Sequence, residues 1–298
     1  MTNLLIKSLL VGAGLALAPM SAYGANTTQD PEITDVKIKL KGYVFGIKVI
    51  KADYQTQIGA HRYTVFSNLR TSGLGALLKK FNIWSLTRGH FDGADLKPET
   101  HLQQNMDKKH RRVEMRYGEN AVDIDINPRL GSQGKPPASP EQRFQADDTL
   151  SAILNIMMRG YQTDDEICSG VVPVFDSKQH YNLRLKRAGT RKIKQRGYKG
   201  ETIKCLAYYE PVSGFDPEDL PSQEEQSTPV ILYLAQFPEY KFSIPVRMTY
   251  KISGFKAVIK VRDIQINKRP AAKFVDFGDD FKTQETNLYA RNMIAVKK

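Results

Sequence analysis

The sequence predicts an all-β protein: an antiparallel, strongly curved sheet, either an open barrel or a β-spiral, around one central α-helix. Three observations carry this. Most apolar segments alternate with charged residues at period two, the pattern of half-buried strands. One stretch only, from Asp147 to Gly160, has a clear helical period. The turn-rich connections between segments are mostly short, which suits antiparallel neighbours.

The first 24 residues read as a secretory signal peptide. Lys7 is the basic flank, the run from Leu9 to Ala18 is apolar, and Ala22-Tyr23-Gly24 is a small-x-small site that places cleavage between Gly24 and Ala25. The apolar run is too short to span a bilayer, so the mature chain is expected to have no transmembrane segment. Residues 25–298 then form a single periplasmic β-rich domain, since no linker divides them. Export into an oxidising compartment makes Cys168 and Cys205, the two cysteines of the chain, a disulfide pair. Closing a loop of that size contributes roughly 3–4 kcal/mol in the chain-entropy picture.

In Val36-Lys-Ile-Lys-Leu-Lys41 the apolar residues face one side and the lysines the other. The strand continues through Tyr43 to Ile50 with a bend or bulge at Gly46, and a turn at 58–61 leads into Arg62–Phe66. A weak helical turn is expected within 71–81. Strands follow at 81–88, 99–107, 112–117 and 121–126, with turns at Gly89 and Asp92-Gly93. The proline-rich stretch 127–140 is a loop that delivers the chain to the helix.

In the helix, Leu150, Ile153, Leu154 and Met157 fall at i, i+3, i+4 and i+7, one face. Asp147 or Asp148 caps its start, and Gly160 supplies a left-handed stop. Beyond it, 171–175 and 181–187 form a hairpin, residues 191–197 join this to the strand holding Cys205, and the acidic stretch 214–229 is a flexible surface loop. Strands at 230–237, 243–253 and 255–267 complete the sheet, and a polar tail ends in a short helix over 290–298.

The sequence names no catalytic residue, no metal ligand and no cofactor. The histidines, at 61, 90, 101, 110 and 180, read as surface or strand-face residues. There is no nucleophile elbow and no phosphate-cradling glycine loop. Asp147 and Asp148 are the one suggestive carboxylate pair. Adjacent residues at a helix start point in different directions, and capping accounts for them.

The formal net charge of +12 points toward anions. Export argues against nucleic acid. Anionic lipid, lipopolysaccharide or an envelope protein remain as partners, beside a merely soluble basic surface. Two runs are candidate anion-binding sites: Lys108, Lys109, Arg111 and Arg112, then Arg184, Lys186, Arg187, Arg191, Lys192, Lys194, Arg196 and Lys199. The bland reading of both is a solvated strand face that discourages edge aggregation. Strand aromatics such as Tyr43, Tyr54, Tyr63, Trp84 and Tyr233 are either plain core or the lining of an apolar groove.

Several short pieces, in order, carry a resemblance. They are Tyr43-Val-Phe-Gly-Ile-Lys-Val, Tyr63, Ser72-Gly-Leu-Gly-Ala-Leu-Leu, Arg88-Gly89, Leu96-Lys-Pro98, Arg112-Val-Glu-Met-Arg-Tyr-Gly, Asn127-Pro128 and Asp148-Thr-Leu-Ser151. With these the chain, over about residues 35–215, resembles the exported bacterial family known as domain of unknown function 3108. The resemblance implies a periplasmic β-rich fold and transfers no catalytic residue. The plan is more distantly similar to envelope-integrity proteins with a spiral β-sheet and one disulfide.

Three functions are compatible with this. One is a non-enzymatic periplasmic protein that supports envelope integrity by binding a lipid, an anionic glycan or another envelope protein. Another is a lipid or lipoprotein carrier with an apolar groove, and the last is a hydrolase of envelope polymer. A continuous apolar groove favours the carrier. A polar pocket with converging acids and a histidine favours the enzyme, and neither feature favours a scaffold.

Overall fold

The computed structural model describes residues 32–270, apart from 79, 108–109, 162–165 and 253–254. The expected signal peptide and the helix at 290–298 lie outside the described residues, as do Lys108 and Lys109. Thirteen strands form one antiparallel sheet among the described residues.

In chain order they are β1 (Glu32–Val44), β2 (Ile47–Ile58), β3 (Arg62–Thr71), β4 (Asn82–Asp92), β5 (Asp95–Asn105), β6 (Arg112–Tyr117) and β7 (Val122–Asn127), then β8 (Val171–Phe175), β9 (His180–Gln195), β10 (Tyr198–Ser213), β11 (Val230–Phe237), β12 (Phe242–Ile252) and β13 (Phe255–Pro270). The helices are α1 (Gly75–Leu78), α2 (Pro140–Phe144), α3 (Thr149–Met158) and α4 (Gln223–Ser227).

The spatial order runs β7 back to β1, then β13 back to β8. Neighbours in the chain are therefore neighbours in the sheet except β7 and β8, and one pairing joins strands distant in the chain. The first strand pairs with the last described one, which ties the two halves together. The edges β7 and β8 are not paired with each other, so the sheet is not closed. They still meet through side chains. Val113 and Met115 of β6 share a cluster with Phe175 of β8, with Ala138 and Ala146 of the intervening segment between them.

Alternation forms these strands as expected: Val36 and Ile38 are buried while Lys37 and Lys39 are exposed. Several local expectations are corrected. Phe45 and Gly46, both at positive φ, form the two-residue turn of the β1–β2 hairpin rather than a bend in one strand. Gly89 lies inside β4, not at a turn. A Cβ there would sit 2.5 Å from the Tyr63 hydroxyl and 2.4 Å from the Lys97 carbonyl oxygen, so only glycine lets that ring lie against the strand. Residues 191–195 continue β9 instead of connecting strands.

The acidic stretch 214–229 is tied down. Asp216 accepts hydrogen bonds from Ser132 Oγ (2.5 Å) and Lys178 Nζ (2.6 Å), and Ser222 and Glu225 form a capping box on α4. A capping box also starts α2, from Ser139 and Gln142.

Helix α3 is placed as the sequence predicts, with Asp148 as its cap, Arg159 at its end and Gly160 at φ +82°. Its burial differs from a single stripe. Leu150, Leu154 and Met157 pack with Val36, Tyr54, Tyr63 and Ile244. Ala152 and Ile156 pack on a second side with Val172, Leu232 and both cysteines. Ile153, expected in the core, is 40% exposed. The reason is that both the β1–β3 and β8–β12 regions claim a side of this helix, leaving the face between them open.

Candidate functional site

The local chemistry at the helix start explains how the helix is held. Asp148 accepts from the backbone N–H groups of Leu150 and Ser151 and from Ser151 Oγ at 2.6 Å. From the sheet it accepts from Thr87 Oγ1 at 2.7 Å and faces His101 Nδ1 at 2.9 Å. The Thr87 proton goes to Asp148, so Nδ1 of His101, 2.8 Å from Thr87 Oγ1, carries the donor hydrogen. By the same bookkeeping Ser151 spends its proton on Asp148, and Tyr63 donates to Ser151 Oγ at 2.8 Å.

Tyr63, Thr87, His101, Asp148 and Ser151 thus make one buried network joining β3, β4 and β5 to α3. His101 is 3% exposed: of the expected surface or strand-face positions it takes a strand face, on the buried side. No spacing rule along the chain finds it, because its partners are Thr87 and Asp148, far away in sequence. Three pieces that carry the family resemblance, Tyr63, Arg88-Gly89 and Asp148-Thr-Leu-Ser151, come together here.

The network is an anchor, not a nucleophile. A hydroxyl is activated when it donates to a base that a third group orients. Ser151 does donate to the Asp148 carboxylate, but both are fully buried, so in this structure no reactant reaches the hydroxyl. Burial alone would raise the Asp148 carboxyl. The His101 interaction, with hydrogen bonds from Ser151 and Thr87, outweighs burial and holds it below the usual carboxylate value.

Its neighbour behaves oppositely. Burial, reinforced by the Asp148 charge, pushes Asp147 up to about 7, although Asn155 Nδ2 donates to it at 3.0 Å. Asn155 also accepts from Arg159, so it braces the helix rather than facing solvent. The Asp147 backbone bridges to Pro173 and Phe175 on the edge strand β8.

The open face of α3 borders a cavity of about 250 Å³ whose lining is apolar, including Ile38, Tyr54, Ile153, Met157, Leu232 and Met248. Val230 and Met248 also line a second apolar space of about 370 Å³ that runs to Val44, Val49, Ile50 and Ile259. The two spaces adjoin at those residues. Ile153, 40% exposed, is one wall of the first; the informative feature is the contiguous apolar lining and not the single side chain.

The predicted anion-binding residues do not gather into one site. Arg111 donates to the carbonyls of Pro128 and Arg129, and Arg112 lies 3.9 Å from Glu114. The second run is spread along β9 and the start of β10, roughly 40 Å at strand rise from Arg184 to Arg196. Arg184 pairs with Glu210 at 2.5 Å and covers the Tyr208 ring. Lys186, Arg187, Lys192, Lys194 and Lys199 are exposed. Arg191 and Arg196 line two separate pockets. Cys168 and Cys205 are bonded, with Cα atoms 5.6 Å apart, and the bond packs under Ile156.

Among the described residues no group of acids, histidines and cysteines has the arrangement of a metal site, and no helix is long and apolar enough to cross a membrane. Compared with known proteins, the chain matches the model of a family described as "Protein of unknown function (DUF3108)" over residues 35–262. The match extends the expected resemblance through β11, β12 and the first half of β13. No curated protein matches the chain.

Proposed function

The chain belongs to the DUF3108 family, and from the geometry of its groove we propose that it is a non-enzymatic periplasmic protein of the cell envelope that carries an acyl chain, as part of a lipid or of a lipid-modified protein. In this reading the curved sheet wraps around α3, and the helix supplies one wall of the binding space. The leader-like segment 1–24 supports export.

The observation that carries the proposal is the pair of adjoining apolar spaces of about 250 and 370 Å³, the first walled by the half-uncovered Ile153. Each methylene buried there gains about 0.8 kcal/mol before the costs of association. The network at Asp148 fixes the helix, and so keeps the groove from collapsing onto it.

The test is native mass spectrometry of protein purified from the periplasm, followed by solvent extraction. Acyl-bearing species are expected to leave with the protein. Met248→Trp, at the junction of the two spaces, should lower their yield and block uptake of a fluorescent fatty acid. A wild-type protein that emerges lipid-free and takes up no fatty acid would sink the proposal.

A further inference from the structure

The opposite face of the same strands holds a feature that the groove does not explain. In the sheet register Arg247 of β12 stands opposite Lys260 of β13, Lys260 opposite Lys41 of β1, and Lys41 opposite Lys51 of β2. Cross-strand partners share a face, so four cations form a row across four adjacent strands, about 14 Å long at the usual strand spacing. All four are half-buried, and none has an ion pair among the described residues. Arg70, next in line opposite Lys51, is matched by Asp53 at 3.0 Å.

Like charges directly opposite one another destabilise a sheet. Cations on edge strands are explained as protection against aggregation. That explanation fails here, because β12, β13, β1 and β2 lie in the middle of the sheet and are paired on both sides. Alternating signs would solvate the face equally well without the repulsion.

The row also connects two cavities. A polar one of about 640 Å³ is lined by Lys41, Lys51, Arg196 and Arg262, with Asp53 and Asp263 at its side. The other, about 510 Å³, is lined by Arg247, Lys204, Lys251 and Lys256, and by no acid. The tip of the β9–β10 hairpin walls the row. Gln195 Nε2 donates to the Val246 carbonyl at 2.8 Å, and Gly197 packs on the backbone of Arg262, which brings Arg196 to the row.

We infer that this face is a binding site for an elongated ligand bearing several phosphate groups, held by Lys41, Lys51, Arg247 and Lys260. A phosphate monoester carries about −1.5 to −2 charges at neutral pH, so two or three of them neutralise the row. The four cations line neither apolar space, although the cavity of about 510 Å³ meets the groove at Thr249 and Tyr250.

Calorimetric titration of the mature chain with inorganic tripolyphosphate, and separately with orthophosphate, tests it at low salt. Tripolyphosphate should bind at one site, at least tenfold tighter than orthophosphate, and more weakly as salt is raised. The triple variant Lys41→Gln, Lys51→Gln, Lys260→Gln should lose at least tenfold. A control variant removing equal charge from β9, Lys186→Gln, Lys192→Gln, Lys194→Gln, should keep wild-type affinity.

Equal loss in both variants would reduce the effect to net charge and overturn the site, as would no binding by the wild type. Should the triple variant melt below the wild type, Lys51→Gln alone decides: a threefold loss or more supports the site, and unchanged affinity removes it. Vesicles of neutral lipid with phosphatidic acid then separate sources. Binding that tracks the same variants assigns a lipid headgroup, and binding of tripolyphosphate alone assigns a soluble ligand.

Discussion

The two faces of β1, β2, β12 and β13 are made by the same alternating segments and obey different physics. Ile38, Leu40 and Met248 point to the helix side, where each contact is weak and additive, whether made to the helix or to the acyl chain proposed for the groove. Lys41, Lys51 and Arg247 point outward, where neighbours repel and only an added charge of opposite sign relieves them. The difference teaches which face holds the fold together and which face stores repulsion. Removing a side chain inside should cost stability. Removing one from the outer row should cost none.

The largest effect should come from the helix. Leu154 is fully buried in the main core, so Leu154→Ala should cost about 2–5 kcal/mol in urea unfolding and several degrees in Tm. Ile153→Ala, one residue away on the open face, should stay within about 1 kcal/mol while reducing fatty-acid uptake. Equal losses would mean that the groove wall is ordinary core.

The disulfide should follow. Cys168→Ser, Cys205→Ser and the double variant should each lose about 2–4 kcal/mol, alike, because one bond is removed in every case. A double variant costing the sum of the singles would show that the sulfurs act as separate packing groups.

The acids at the helix start come next, and they differ in sign. Asp147 is raised from 3.8 to about 7, so the folded chain holds its proton more tightly, and stability from this group is lost as pH rises through that window. Asp147→Asn should therefore gain about 1–2 kcal/mol over wild type at pH 8 and little at pH 4. Asp148 is lowered, so its contribution is present at neutral pH and is lost as pH falls below about 4. Asp148→Asn should destabilise at pH 8, and unfolding at the two pH values reads both variants.

The smallest effect belongs to the outer row. Lys41 has a lysine opposite it on each side, so Lys41→Gln should gain up to about 0.5 kcal/mol at low salt, an advantage that fades as salt screens the repulsion. A loss of stability instead would break the contrast between the faces.

Much of the inner face is legible along the chain. Alternation at Val36 and Ile38, the period of Leu150, Leu154 and Met157, and a capping acid before them are local signals. The disulfide follows from two cysteines and the expectation of export. Ile153 misleads because a helical period marks every apolar residue of a stripe, while burial depends on what the sheet brings against each position. At His101 the strand period holds, and only partners from two other elements make its burial tolerable.

By itself, then, the sequence determined most of the strands, the helix, a capping acid at its start and the bonded cysteines, because each rests on spacing within a few residues or on residue type. Tertiary structure alone decided the buried network at His101, the open face at Ile153 and the cationic row from Arg247 to Lys51. Each of these depends on register between distant segments, and register is reset by irregularities at Lys39/Leu40, Gly42/Tyr43 and Tyr233/Leu234. A slip of one residue at any of them would turn a strand's side chains to the other face. Alternation tells that a lysine and an isoleucine lie on opposite faces of one strand, and leaves open which lysines of the other strands stand beside it.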